Sequence, residues 1–215
     1  MGAPLPDLDL ETFAERLRRV APVPLSLETI EALHAHYEEL RRWNPSLSLV
    51  GPAAAADVVE RHYAEALEGV PLIPPVAETL VDVGTGAGFP GFVLAAALPR
   101  LAVVLVEPRA RRWAFLEAAR RRARLPCQCL NARVDNPLPQ GLPGRIDVVT
   151  FRALKLPPAT LSALVERFTP ASRVLIWAGE GDPELPPELH LTGAHTLPGT
   201  RHRRILEIRP VQAGA

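Results

Sequence analysis

The 215-residue chain is poor in the residues that mark several protein classes. Its two cysteines, Cys127 and Cys129, are separated by a single residue in a strand-like segment. They are too close in sequence for an ordinary disulfide. No second Cys or His pair is spaced to complete a metal site, so the two read as buried thiols and no metal is expected. No apolar run is long enough to span a bilayer; runs such as Gly91 to Leu98 are far too short. The opening MGAPLPDLDLETF has neither the basic nor the apolar part of a secretory signal. Pro6 stands where acylation of Gly2 would require Ser or Thr. These absences set the expectation of a cytoplasmic protein with no membrane partner. An excess of charge is missing too, with 24 basic and 24 acidic residues, so composition alone does not point to a nucleic-acid partner. Lysine is nearly absent: Lys155 stands alone, and the other 23 of the 24 basic residues are arginine. They cluster in RARRWAFLEAARRRAR (Arg109 to Arg124) and RHRR (Arg201 to Arg204). Such clusters serve equally as solvated helix faces and as phosphate-binding surfaces, to which the planar guanidinium fork is suited.

Hydrophobic residues make up 47% of the chain, enough for a sizeable core. Two regions differ in rhythm. Residues 1–75 read as a helical extension, in which Ser26 is a helix N-cap and Ile30, Leu33, Tyr37 and Leu40 recur at helical spacing. Pro45 is expected to stop that helix, a second helical stretch runs from about Ala54 to Leu67, and Pro71 to Pro75 form a junction. Residues 76–215 alternate short apolar runs with helical stretches. TLVDVG, AVVLVE, RIDVVTF, SRVLIWA and RRILEIR are the runs, and the helical stretches lie near 91–98, 110–123 and 158–168. That alternation predicts an α/β, Rossmann-like, mostly parallel sheet with right-handed crossovers. The last two strands, near 189–197 and 203–209, are joined by PGTRH, which leaves no room for a helix and predicts an antiparallel hairpin.

The densest chemical signal is VDVGTGAGFPG, Val81 to Gly91, which follows a strand and opens a helix. Glycines there permit a tight turn and let a ligand approach bare backbone, at the carboxyl edge of the sheet where such folds bind ligands. Glu107 ends the next strand, 19 residues after Gly88, where an acid can accept from both hydroxyls of a ribose. Gly86, Gly88 and Gly91 also match G-x-G-x-x-G, so an NAD-dependent oxidoreductase has the same claim on these two elements. Asp82 favours S-adenosylmethionine (SAM): just before the turn it suits a ligand ammonium group and would repel a pyrophosphate. The turn follows a helical appendage rather than opening the chain, and no His or Lys downstream is partnered for hydride chemistry.

These segments resemble the bacterial 16S ribosomal RNA methyltransferase G family, within the class I SAM-dependent methyltransferases, over most of residues 37–153. YEELRRWNPSLSLVG, RHYAEAL, DVGTGAGFPGFVLA, VEPRARRWAFL, ARVDN and FRAL each resemble a segment of that family. The resemblance implies methyl transfer from SAM to the ring nitrogen at position 7 of a guanine in small-subunit rRNA. It implies 16S rRNA or the 30S subunit as partner; separately, the chain is expected to be a monomer. It places SAM contacts at Gly84, Phe89, Val134, Asp135 and Arg152, with Glu107 on the ribose and Asp135 facing the adenine. Together with Asp82, Thr85, Gly86 and Gly88 of the turn, these form the expected cofactor site. Phe151, Arg152, Arg61 and His62 are the expected contacts to the target RNA. No catalytic base is assigned, because the guanine 7-nitrogen carries a free lone pair and needs no deprotonation. Phe151 stands where the family has a serine, and WAGEGDPEL replaces its lysine–glycine segment; both lie toward the expected target base.

A SAM enzyme for another RNA or a small molecule, and a non-catalytic RNA-binding relative, share the same fold signals. His34 and His36 read as solvated, His62 as a helix histidine or an RNA contact, and Trp43 as core packing. Arg120 to Arg122 read as an exposed helix face.

Overall fold

The computed structural model describes residues 2–211. The amino-terminal region is helical. Helix α1 (Leu10–Val20) is capped by Asp9, whose side chain accepts from the Thr12 N–H at 2.8 Å. Helix α2 (Leu27–Leu47) is capped by Ser26, which accepts from the Thr29 N–H at 3.1 Å. Each such cap is worth about 1 kcal/mol to its helix. The predicted stripe of α2 is the buried one: Ile30, Leu33, Tyr37 and Leu40 have no exposure. The helix does not stop at Pro45 but runs on to Leu47, since a proline in the last turn removes one hydrogen bond without preventing closure of that turn. A π-helical turn (Val59–Ala64) then continues into the short helix α3 (Glu65–Leu67).

Next come β1 (Thr79–Val83), α4 (Gly91–Ala97), β2 (Ala102–Val106), α5 (Ala110–Arg122), β3 (Gln128–Leu130), β4 (Ile146–Arg152) and α6 (Pro158–Val165). The chain closes with β5 (Phe168–Ala178), β6 (Leu189–Thr196) and β7 (Arg204–Pro210). The seven strands form one sheet in the order β3-β2-β1-β4-β5-β7-β6. All neighbours among β1 to β5 are parallel, and β7 lies antiparallel between β5 and β6, which is the mostly parallel sheet and terminal hairpin read from the sequence. Strand order reverses between β1 and β4, the point where open α/β sheets leave a crevice at their carboxyl ends.

One core cluster fuses the helical region to the sheet, bringing Phe13, Tyr37 and Tyr63 together with Phe92, Phe115, Leu80 and Leu105. A second cluster, built from Val81, Val104, Val149, Phe151, Leu161 and Ile176, fills the other face. Among the described residues no helix is long and apolar enough to cross a membrane.

Candidate functional site

The turn after β1 passes through Gly84, Gly86 and Gly88 at φ of 68°, 60° and 92°, values that glycine adopts freely and other residues only at a cost. The bare positions serve different ends. A Cβ on Gly84 would lie 2.9 Å from Leu154, one on Gly88 2.7 Å from the His36 ring, and one on Gly91 2.4 Å from Asp82. Those three sites are filled by the protein itself. At Gly86 the nearest atoms are the Gly84 carbonyl at 3.7 Å and Arg112 at 3.9 Å, ordinary contact distances. Of the glycines grouped by sequence, Gly86 therefore presents an open backbone face, while Gly88 is bare to admit His36.

Glu107, at the tip of β2, is buried. Its Oε2 accepts from the Gly86 N–H at 2.9 Å and its Oε1 from the Arg109 N–H at 2.9 Å. The Val106 carbonyl accepts from the Gly84 and Thr85 N–H groups at 2.8 and 3.1 Å. The tip of β2 thus fixes the turn of β1, and each Glu107 oxygen keeps acceptor capacity for a further donor.

Asp82 is not where the sequence reading put it. Its side chain is wholly buried beneath the turn, against Gly91, with Oδ1 accepting from the Thr150 hydroxyl at 2.6 Å. Among the described residues Oδ2 has no partner, and burial pushes the carboxyl up to about 7. Thr85 is buried too and donates to the Asp82 carbonyl at 3.0 Å. Both residues brace the turn from below through these hydrogen bonds. Phe89 is buried under the His62 ring, with centroids 5.0 Å apart and planes at 20°. Past β3, Val134 is buried and Asp135 is exposed, its side chain accepting from the Asn136 N–H at 3.0 Å. Arg152, expected at the cofactor, instead donates to Glu65 at 2.9 Å and to the Arg61 carbonyl at 3.1 Å. Phe151 is 2% exposed and belongs to the core.

Sequence reasoning missed His36, which is fully buried rather than solvated. Its Nε2 lies 2.9 Å from the Ala87 carbonyl and its Nδ1 2.6 Å from the Tyr63 hydroxyl. The carbonyl can only accept, so Nε2 carries the proton and Nδ1 accepts from Tyr63. Burial holds the ring neutral, with its pKa pushed down to about 3. The missed signal was spacing: His36 falls three residues after Leu33 and four before Leu40, on the same helix face. His34 is half-buried and bonds the Leu8 carbonyl at 2.9 Å. Trp43, read as core, is half-buried near Phe115 and donates to Glu39 at 2.9 Å. The triplet Arg120 to Arg122 is only partly a free face, since Arg120 pairs with Glu117 and Arg122 ties α5 to Glu38 of α2.

Beside the turn, at the carboxyl ends of β4 and β5, lies a cavity of about 640 Å³. Leu154, Trp177 and residues 178–184 line it, with Phe151 at its edge. The divergent segment WAGEGDPEL therefore forms one wall.

Residues 29–181 match the family model for rRNA small subunit methyltransferase G. The ribosomal RNA small subunit methyltransferase G of Methylobacterium radiotolerans is 42% identical over 142 residues, 65% of this chain and 66% of that protein. The protein of the same name from Paramagnetospirillum magneticum is 37% identical over 154 residues, 72% of this chain and 66% of its own length. The matched stretches thus span just under two thirds of these relatives. In fold, the chain is similar to a mutant of MtNAS solved in complex with S-adenosylmethionine, at 12% identity and a TM-score of 0.58. That match covers 94% of this chain and 78% of the other. With a family match that spans the glycine turn, the Glu107 tip and the wall of the cavity, the chain belongs to the rRNA small subunit methyltransferase G family.

Proposed function

We propose that this chain transfers the methyl group of SAM to the 7-nitrogen of a guanine in the 16S rRNA of the small ribosomal subunit. The observation that carries the reading is the Gly86 turn held by Glu107: an open stretch of backbone beside a carboxylate whose two oxygens each retain a lone pair. The names of the relatives supply the substrate class.

The residues fit SAM on two counts observed in the molecule. Gly86 lets a ligand approach the backbone, and Glu107 offers paired acceptors to a diol. Asp135, exposed beyond β3, can accept from an exocyclic amine. Asp82 is closed off and contributes by holding the turn. Bound SAM supplies an electrophilic methyl group on a sulfonium. The protein's part is to orient the acceptor, and the cavity beside Leu154 and Trp177 offers space for a base drawn out of its stack, at a cost of a few kcal/mol. Among the described residues, neither histidine beside the turn is suited to remove a proton. Both nitrogens of His36 are engaged, and burial beside Arg152, Arg61 and Arg203 brings His62 down to about 3. A guanine 7-nitrogen needs no such base.

Arg109, Arg111, Arg121 and Arg124 lie exposed on and around α5, with no carboxylate paired to them among the described residues. They would give RNA salt-sensitive phosphate contacts. The reading is tested by incubating the protein with labelled SAM and 30S subunits from a strain lacking it. Label recovered as 7-methylguanosine in 16S rRNA supports it; label in another nucleoside, in protein or nowhere overturns it.

A further inference from the structure

Three arginines converge on one carboxylate where the π-helical turn meets the end of β4. Arg152 pairs with one oxygen of Glu65 and Arg203 with the other. Arg61 reaches the Ala53 carbonyl with Nη1 at 3.1 Å and adds a third positive charge beside Arg152. Three guanidiniums less one carboxylate leave a net charge of +2. Glu60, beside Arg61 in sequence, pairs instead with Arg16, and Asp182 with Arg204. Burial pulls Arg152 below the usual arginine range, and Arg203 and Arg61 act in the same direction against Glu65.

Four enclosed nitrogens of this cluster have no partner among the described residues: Arg61 Nε, Arg152 Nη1 and both ring nitrogens of His62. Buried donors, and charged ones above all, are costly to leave unpaired. The cluster nevertheless opens to solvent, since the Arg152 and Arg203 side chains remain 18% and 28% exposed. It adjoins the glycine turn through His62, which lies flat on Phe89. Arg61 and His62 belong to a π-helical turn, a geometry rare in proteins and frequent at functional sites.

We propose that this cluster is an oxyanion site that takes one phosphodiester of the RNA strand next to the target nucleotide. The free Arg61 and Arg152 donors meet the non-bridging oxygens, and His62 adds one N–H. Guanidinium donors match phosphate in geometry and strength, and the anion offsets the excess charge. The assignment rests on the RNA substrate proposed above. Free inorganic phosphate offers the same chemistry, and the experiment separates the two.

Arg61→Gln is the chosen variant because Glu65 keeps both of its paired arginines. An rRNA fragment carrying the target is titrated into wild type and variant over a range of salt, alongside SAM calorimetry. The expected result is RNA affinity reduced about 10-fold or more, a salt slope smaller by about 1, and an unchanged SAM dissociation constant. Arg61→Lys restores the slope. Equal RNA affinity and equal slope in wild type and Arg61→Gln overturn the proposal. Should Arg61→Gln fold poorly, wild type still decides: inorganic phosphate at matched ionic strength must raise its melting temperature and compete with the RNA. Stabilisation without competition marks a free-phosphate site and overturns the RNA assignment. The absence of both overturns the site itself. Absence of methyl transfer by wild type, with phosphate and RNA still competing, overturns the enzymatic reading and leaves the anion site standing.

Discussion

Gly86 sits at φ 60° with an open face toward Arg112, which separates its role from that of its neighbours. In Gly86→Val a branched side chain enters the space assigned to the ligand, while the backbone strain costs about 1–3 kcal/mol. Calorimetry should find SAM binding abolished, with the melting temperature lowered by only about 2–12 °C. Undiminished affinity would remove the ligand from this turn. Asp82 permits a test through pH. Burial raises its carboxyl from 3.8 to about 7, so the folded chain holds a proton that the unfolded chain releases. Its contribution to stability is full below about pH 4 and is lost as pH rises toward 7. In Asp82→Asn that titration is gone, so urea unfolding should show wild type losing ground to the variant between those two values. Parallel pH profiles would place the carboxylate in a wetter setting than the fold shows.

At the scale of elements, helix α2 acts on the glycine turn through His36. Its N–H holds the Ala87 carbonyl and its other nitrogen holds the Tyr63 hydroxyl. His36→Leu leaves both groups unpaired and should cost about 2–4 kcal/mol of stability by urea denaturation. It should also weaken SAM several-fold by calorimetry; lost stability with unaltered affinity would show that the turn holds its shape without the helix. The elements themselves were legible because their signals are local. The apolar, β-branched runs fell on strands, the Ser26 cap fell at the start of α2, and PGTRH joined an antiparallel pair. Pro45 misled, because a break in one backbone hydrogen bond near a helix end is absorbed by its last turn. His36 misled as well, since polarity was given more weight than its position on the buried face.

Across the whole molecule, the sequence showed which residues the proposed pocket would draw on but not their facing. Gly86 and Glu107 are 21 residues apart and meet because β1 and β2 are parallel neighbours. That much followed from the βαβ rhythm. The burial of Asp82 depends on Thr150, which lies 68 residues away on β4, and the arginine cluster gathers positions 61, 152 and 203 from three separate elements. No local pattern encodes such meetings; they arise from strand order and from the helical region sharing a core with the sheet. The central claim is that the end of β1 and the tip of β2 together hold the methyl donor. Backbone amide resonances followed during a SAM titration, with NAD as the control ligand, test it most directly. The account predicts that SAM alone shifts Gly84, Gly86, Glu107 and Arg109 most strongly. Shifts concentrated elsewhere, with these four amides unmoved at saturation, would contradict it.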